Sequence, residues 1–147
     1  MRNVSAAPPG FSVLELVLVV GLLGAIAGFT IIISIDSYQR FAFWSERDTI
    51  VALLQRARSQ AMSNTNGQPH GLRVQSGQYI IFPGSAPGGS SDVVVRANDA
   101  LTVTPTLADV VFEQLSGDVN SSLTIALADT SGHHATIVVN TEGRIDW

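Results

Sequence analysis

The feature that most constrains this chain is a nearly uninterrupted apolar run close to its start, from Phe11 to Ile35. The run holds a single charged residue, Glu15. As a helix it would rise about 37 Å at about 1.5 Å per residue, and the hydrocarbon core of a bilayer is about 30 Å thick. Gly21, Gly24 and Gly28 are compatible with this, because glycine is more frequent in membrane helices than in soluble ones. The run therefore predicts a helix that crosses a membrane once.

An ordinary secretory signal peptide is the competing interpretation. Arg2 places a positive charge before the run, and Ala25-Ile26-Ala27 resembles a cleavage site that would leave a protein starting at Gly28. Against this, the apolar residues continue past Ala27 to Ile35, whereas the apolar part of a signal peptide spans about 7–15 residues. A glutamate inside such a segment would also be unusual.

The residues where the run begins form a specific motif. A short leader, Met1 to Gly10, ends in glycine, Phe11 follows, and Glu15 is the fifth residue after that glycine. This arrangement resembles the processing signal of type IV pilins and type II secretion pseudopilins. The resemblance implies that a prepilin peptidase cuts after Gly10 and methylates the new amino terminus at Phe11. It also implies that residues 11–35 are both the transmembrane segment and the helix through which subunits assemble.

Glu15 has a physical reason to matter beside the resemblance. A carboxylate near the membrane core costs about 2.5–3.5 kcal/mol on insertion scales, and such groups generally have a partner. Phe11 and Glu15 are four residues apart, a spacing that places both on one face of a helix. Because cleavage would create a cationic amine at Phe11, we expect Glu15 to pair with that amine of a neighbouring subunit during fibre assembly. The alternative is that Glu15 lies at the headgroup level and has no function.

Residues 36–64 predict a continuation of the helix as an amphipathic segment in water. An apolar stripe at helical spacing should pack against a sheet; its members are Ile50, Leu53, Leu54, Ala57 and Ala61. Four aromatic residues precede the stripe and suit either the membrane interface or a core: Tyr38, Phe41, Phe43 and Trp44. Residues 64–67 supply turn signals that end the helix.

Residues 65–147 predict a globular β-rich domain. A hairpin over residues 72–82, turning at Ser76-Gly77, is followed by a loop at residues 83–91. The further strand candidates are residues 93–95, 101–104, 110–112, 123–127, 135–139 and 144–147. A long helix followed by a run of short strands indicates an α+β fold with a mostly antiparallel sheet.

Two later segments add a second resemblance. Leu54 to Ala61 and Ala135 to Ile145 are similar to segments of the GspH/FimT-type minor pilins and pseudopilins. The resemblance implies a pilin-like fold, with the long helix packed on the sheet domain. It also implies a minor subunit near the fibre tip that helps to initiate or cap a type II secretion pseudopilus or a type IV pilus. If the resemblance is set aside, both segments are apolar helix and strand positions that fill a core, with a turn at Gly143.

Composition bears against several other functions. The net charge is −4 and there are no cysteines, so thiolate–metal sites, disulfides and thiol nucleophiles are excluded. Some members of the resembled family bind DNA through Gly-Arg-x-Arg, but residues 143–146 read Gly-Arg-Ile-Asp, and Asp146 would repel phosphate. DNA uptake is therefore the lesser alternative.

His133-His134 suggests a metal pair, yet neighbours on a strand point to opposite faces, and only Asp129 and His70 could join them. A polar pair beside a turn is the simpler interpretation, and no catalytic or cofactor motif is visible.

The sequence thus predicts a structural subunit, not an enzyme, with no cofactor. It is expected to be single-pass in the inner membrane, with Arg2 in the cytoplasm and the β-rich domain in the periplasm or outside. The resemblance implies three kinds of partner: other pilin or pseudopilin subunits, the prepilin peptidase and the inner-membrane assembly platform. The alternative from a different class is a membrane-anchored binding module that keeps its leader.

Overall fold

The computed structural model describes the backbone of residues 10–147 and the side chains of residues 10–28 and 37–147. The predicted leader therefore lies outside the described residues apart from Gly10, and so do the side chains of residues 29–36. The chain divides into two units, one ending at Tyr38 and the other spanning Gln39–Trp147. One helix, α1 (Val13–Met62), contributes residues to both units.

In the first unit, every described side chain of α1 is exposed to solvent. Leu14 is 76 % exposed, and Ile26, twelve positions later, is still 56 % exposed. Among the residues whose side chains are described, no helix combines the length and the apolar character needed to cross a membrane. The predicted span, residues 11–35, extends into side chains beyond that set.

In the second unit, one face of α1 is buried, as the apolar stripe predicted. Ile50, Leu54, Ala57 and Ala61 have no exposed surface. Burial of an isoleucine or leucine side chain contributes about 1.5–3 kcal/mol, so this stripe fixes the helix on the rest of the unit. Of the four aromatic residues before the stripe, Phe43 joins the core with no exposed surface.

The helix ends where the turn signals predicted. After Met62, Asn64 adopts a left-handed backbone with φ of 56°, and a short 3₁₀ turn follows at Thr65–Gly67. Asparagine tolerates this conformation better than most residues, because its short polar side chain bonds locally.

Residues 39–147 contain eight strands, and each predicted strand segment is confirmed. They are β1 (His70–Gln75), β2 (Gln78–Pro83), β3 (Val93–Arg96), β4 (Leu101–Thr104), β5 (Leu107–Phe112), β6 (Leu123–Asp129), β7 (His134–Val139) and β8 (Ile145–Asp146). They form two four-stranded sheets, in the orders β3-β2-β1-β5 and β4-β6-β7-β8. Every pairing is antiparallel, so the α+β prediction with an antiparallel sheet is confirmed, with two sheets in place of one.

One hydrophobic core joins the helix to both sheets. The strands contribute alternate residues, as a sheet with one buried face requires. The fully or almost fully buried core residues of the strands include Leu72, Val74, Tyr79, Ile81, Val110 and Phe112 from the first sheet, and Ile125, Leu127, Ile137 and Val139 from the second. Close packing within the first sheet depends on Gly71, where a Cβ would lie 2.8 Å from the Val110 carbonyl oxygen.

Candidate assembly and processing site

The predicted cleavage site lies in an exposed segment that precedes the helix. Gly10 is exposed, and a Cβ built on it would meet no atom within 4 Å. Phe11 is 84 % exposed and is not helical. The two residues joined by the Gly10–Phe11 peptide bond are therefore accessible to a large partner such as a peptidase.

Ser12 sets the start of the helix, and sequence reasoning missed this role. Its hydroxyl oxygen accepts a hydrogen bond from the Leu14 N–H at 3.2 Å, and its carbonyl oxygen accepts one from the Leu16 N–H at 3.1 Å. Ser12 thus caps α1, which begins at Val13, two residues later than the apolar run predicted. The detectable signal was Ser12-x-x-Glu15, the spacing of a capping box.

Glu15 lies in the first turn of α1 and is exposed. Because Phe11 precedes the cap, the expectation that Phe11 and Glu15 share a helix face is not met in this chain. The position gives Glu15 a second source of stabilisation, since a carboxylate near a helix N-terminus interacts favourably with the helix dipole.

The described helix surface that follows is apolar and exposed. Large apolar side chains stay 44–79 % exposed from Val13 to Ile26. Gly21, Gly24 and Gly28 have open space where a Cβ would lie. Soluble monomers rarely leave an apolar surface of this extent in water, so the first unit presents a surface that is built for lipid or for other helices.

In the second unit, Glu46 ties α1 to the first sheet. The hydroxyl of Tyr79 on β2 donates to Glu46 Oε1 at 2.7 Å, and the Asn98 N–H donates to the same oxygen at 3.1 Å. Tyr79 has no exposed surface, and its burial, together with the hydrogen bond to Glu46, raises its pKa far above the ordinary value. Sequence reasoning missed this contact; its one signal was a glutamate four residues before Ile50, on the buried face of the helix.

The two segments that carried the second resemblance meet in space. Arg58 on α1 donates from Nη2 to the Glu142 carbonyl oxygen at 3.2 Å. Next to it, Gly143 adopts a left-handed conformation with φ of 69°, and a Cβ there would collide with the Gly117 carbonyl oxygen. The turn is closed by a 2.9 Å hydrogen bond from the Gly143 N–H to the Asn140 carbonyl oxygen. Only glycine suits this crossing of the helix end, the 113–119 loop and the last turn.

The segment compared with a DNA-binding motif has its charge balanced locally. Arg144 is exposed, and its Nε lies 3.0 Å from Asp146 Oδ2. Asp146 therefore competes with phosphate for the same guanidinium, in agreement with the sequence argument against DNA binding.

The adjacent residues His133 and His134 follow the turn between β6 and β7, and their side chains have different surroundings. His133 Nδ1 lies 2.7 Å from Asp129 Oδ2, and the ring stacks at 5.6 Å, centroid to centroid, on the buried ring of Phe43. His134 is exposed at the start of β7, and His70 is buried with Nδ1 3.1 Å from the Gln68 carbonyl oxygen. Among the described side chains, no three acidic or histidine groups converge on a possible metal position.

Burial works against ionisation of Asp129, but its hydrogen bonds outweigh this. Asp129 Oδ1 accepts from the His133 N–H at 2.8 Å and from the Ser131 N–H at 2.9 Å, in addition to the His133 ring contact. Burial alone would raise the pKa of Asp129; the side chain of His133 first, and then the backbone bonds, bring the net pKa below the ordinary value. The turn is thus held by a charged carboxylate at neutral pH.

One helix that is apolar and exposed from Val13 to Ile26, and packed on two antiparallel sheets further along, defines an α+β fold of the pilin-like kind. The chain belongs to the family described as type II transport protein GspH, which matches residues 46–143. The resemblance to GspH/FimT-type minor pseudopilins is therefore confirmed. No match was found to a curated protein or to a solved structure.

Membership of this family assigns a role as a type II secretion pseudopilin or minor pilin, in a structural family and not one known as enzymatic. It also implies association with other pseudopilins. The matched range runs from Glu46, the residue that ties α1 to the sheet, to Gly143, the residue at the helix-end crossing. The family match thus spans the contacts that fix the helix on the β-rich part of the second unit.

Proposed function

We propose that this chain is the precursor of a minor pseudopilin of a type II secretion system. A prepilin peptidase removes residues 1–10 and methylates Phe11. Residues 11–35 then hold the subunit in the inner membrane and later pack among equivalent helices, residues 36–64 form the amphipathic half of the helix, and residues 65–147 form the domain outside. The subunit helps to initiate or cap the pseudopilus.

The main support for this proposal is the difference in burial between the two parts of α1. The family match begins at residue 46 and covers the part of the helix that is buried on its own sheets. The described part before it is apolar and exposed from Val13 to Ile26, which supports a role in contacts with lipid or with other subunits. The printed description of the family, a type II transport protein, favours the secretion machine over a type IV pilus.

Glu15 is the residue to which we assign a role in assembly, through pairing with the Phe11 amine of a neighbouring subunit. Glu15→Gln removes the charge and keeps the size, and Ser12→Ala removes the cap without touching the charge. If pairing matters, Glu15→Gln blocks incorporation into the fibre and Ser12→Ala does not. Equal defects in the two variants would mean that Glu15 acts only on the start of the helix.

The deciding test of processing is the intact mass and the N-terminal sequence of the protein from membranes, with and without the prepilin peptidase. A start at methylated Phe11 that depends on the peptidase is the expected result. A start at Gly28 would reveal an ordinary secreted domain and remove the roles given to Gly10, Phe11 and Glu15. An uncut Met1 in the presence of the peptidase would indicate a plain membrane anchor.

A further inference from the structure

The first residues of the second unit present exposed aromatic side chains that its core does not use. Phe41 is 72 % exposed and Trp44 is 39 % exposed, whereas Phe43 between them is fully buried. Phe41 and Trp44 are three residues apart and flank a shallow depression completed by Ser45, Asp48 and Thr49. We call Phe41, Trp44 and the adjoining Arg47 the aromatic patch.

The ring of Trp44 is held in place from two sides. Its edge meets the buried ring of Phe43 at a centroid distance of 5.2 Å and an interplanar angle of 82°. The Arg47 guanidinium carbon lies 4.6 Å from the centre of the Trp44 ring, within the range of a cation–π contact. A tryptophan fixed this way presents a constant amphipathic surface, and the ordering cost of binding is low.

The turn between β6 and β7 lies beside the same part of α1. Ser131 Oγ donates to Gln39 Oε1 at 2.9 Å, and His133 stacks on Phe43. The one carboxylate of this turn, Asp129, points inward, with only 6 % of its side chain exposed. The residues that the turn exposes are Thr130, Ser131, Gly132 and His134. On this side, the residues around the aromatic patch are therefore polar, and no carboxylate of the turn points outward.

We propose that the aromatic patch is an interfacial anchor that rests in the headgroup region of the bilayer. This inference depends on the proposed function, because it requires residues 11–35 to span the membrane. The patch begins six residues after Ile35 in the same helix. Aromatic side chains, tryptophan above all, and arginine side chains are the types that settle at a membrane–water interface. The polar turn beside it tolerates contact with headgroups.

The charge of the patch sets the kind of lipid that is needed. Arg47 Nη2 lies 2.6 Å from Asp48 Oδ1, so its charge is largely balanced. The anchor therefore acts through the apolar ring of Phe41 and the amphipathic ring of Trp44, and it operates on zwitterionic phosphatidylcholine without a requirement for anionic lipid.

The two tryptophans of the chain allow a matched test in the full-length protein. Trp147→Phe leaves Trp44 as the reporter, and Trp44→Phe leaves Trp147, which is 58 % exposed near the chain end. Both variants are reconstituted in phosphatidylcholine vesicles, with lipid brominated near the headgroup as the quencher. Emission from Trp44 is expected to move to shorter wavelength and to be quenched several-fold more strongly than emission from Trp147.

Flotation of the vesicles separates failure of the inference from failure of the proposed function. Co-flotation with equal quenching of both reporters would overturn the anchor and leave the span intact. A shift of Trp44 emission to shorter wavelength without quenching by the brominated lipid would also overturn it, because a second subunit and not lipid would then cover the ring. No co-flotation would overturn the span and the anchor together.

Discussion

Two stretches of the same helix behave in opposite ways. Between Val13 and Ile26 the large apolar side chains are exposed all round the helix, whereas between Ile50 and Ala61 they fall on one stripe that is buried. The difference is periodicity: a stripe specifies one partner on one side, here the sheets of the same chain, and an all-round apolar surface specifies an apolar environment. Each prediction below tests this contrast.

The largest expected effect comes from shortening a leucine in each stretch. Leu54→Ala should lower the free energy of unfolding of the second unit by about 2–5 kcal/mol, because the side chain is wholly buried. Leu18→Ala removes the same atoms from a side chain that is 65 % exposed, and should change it by less than about 0.5 kcal/mol. Urea unfolding of both variants in detergent, followed by near-UV circular dichroism, measures this. Similar losses would mean that the stretches are not distinct.

A second test addresses the crossing at the end of the helix. Gly143→Ala should cost about 2–4 kcal/mol, because left-handed strain adds to a collision with the Gly117 carbonyl. Gly132→Ala is the matched control: φ there is 90°, but no atom lies within 4 Å of a Cβ. Its cost should be the strain alone, about 1–2 kcal/mol. Equal thermal destabilisation of the two variants would remove the collision from the account.

The two tyrosines provide a third matched pair. Tyr79→Phe deletes the hydrogen bond to Glu46 and should cost about 1–3 kcal/mol, whereas Tyr38→Phe, at a side chain that is 73 % exposed, should have little effect. Because the folded pKa of Tyr79 is raised, its contribution is complete below the ordinary value of 10.0 and is lost as pH rises beyond it. Stability of the wild type should therefore fall more steeply in alkali than that of Tyr79→Phe.

A smaller and local effect is expected in the first stretch. Ser12→Ala removes the cap and should destabilise the first turn by about 0.5–2 kcal/mol, visible as faster hydrogen exchange at the Leu14 amide. Ser12→Asn, which restores a capping oxygen, should recover the protection. Urea unfolding of the second unit should be unaffected; a change there would show that the two stretches are coupled.

The smallest expected effect is a change in acid stability at the β6–β7 turn. Because the folded pKa of Asp129 is depressed, its contribution is present above the ordinary value of 3.8 and is lost as pH falls through the lower folded value. Asp129→Asn should therefore flatten the acid side of the stability profile, measured by thermal unfolding between about pH 2 and pH 6. A profile parallel to that of the wild type would exclude this role.

The fold was predictable wherever a periodic pattern or a strong turn signal was present. The stripe containing Ile50 and Leu54 and the hairpin around Ser76-Gly77 lie as predicted, because each pattern suits only one local structure. The sequence pattern did not show which aromatic residues before the stripe are buried. Phe43 is buried and Phe41 is exposed, and this difference depends on how the sheets pack against the helix.

The candidate site divides in the same way. Gly10, Phe11 and Glu15 were identified from a local motif, and the exposure of all three suits their expected roles without testing them. Ser12 carried a local signal, the capping-box spacing to Glu15, but its cap was not predicted. The contact between Glu46 and Tyr79 joins residues 33 positions apart, a distance over which neither side chain indicates the other.

The strand orders have a consequence for the order in which the chain folds as it is synthesised. All strands of the sheet β3-β2-β1-β5 are present once Phe112 has appeared. Strand β4 precedes β5 in the chain, yet its hydrogen-bonding partner is β6, which begins at Leu123. A polypeptide delivered from its amino terminus can therefore finish one sheet while β4 waits with its edge unpaired. The order of delivery thus leaves β4 as the strand most open to wrong pairing, until the second sheet closes on it.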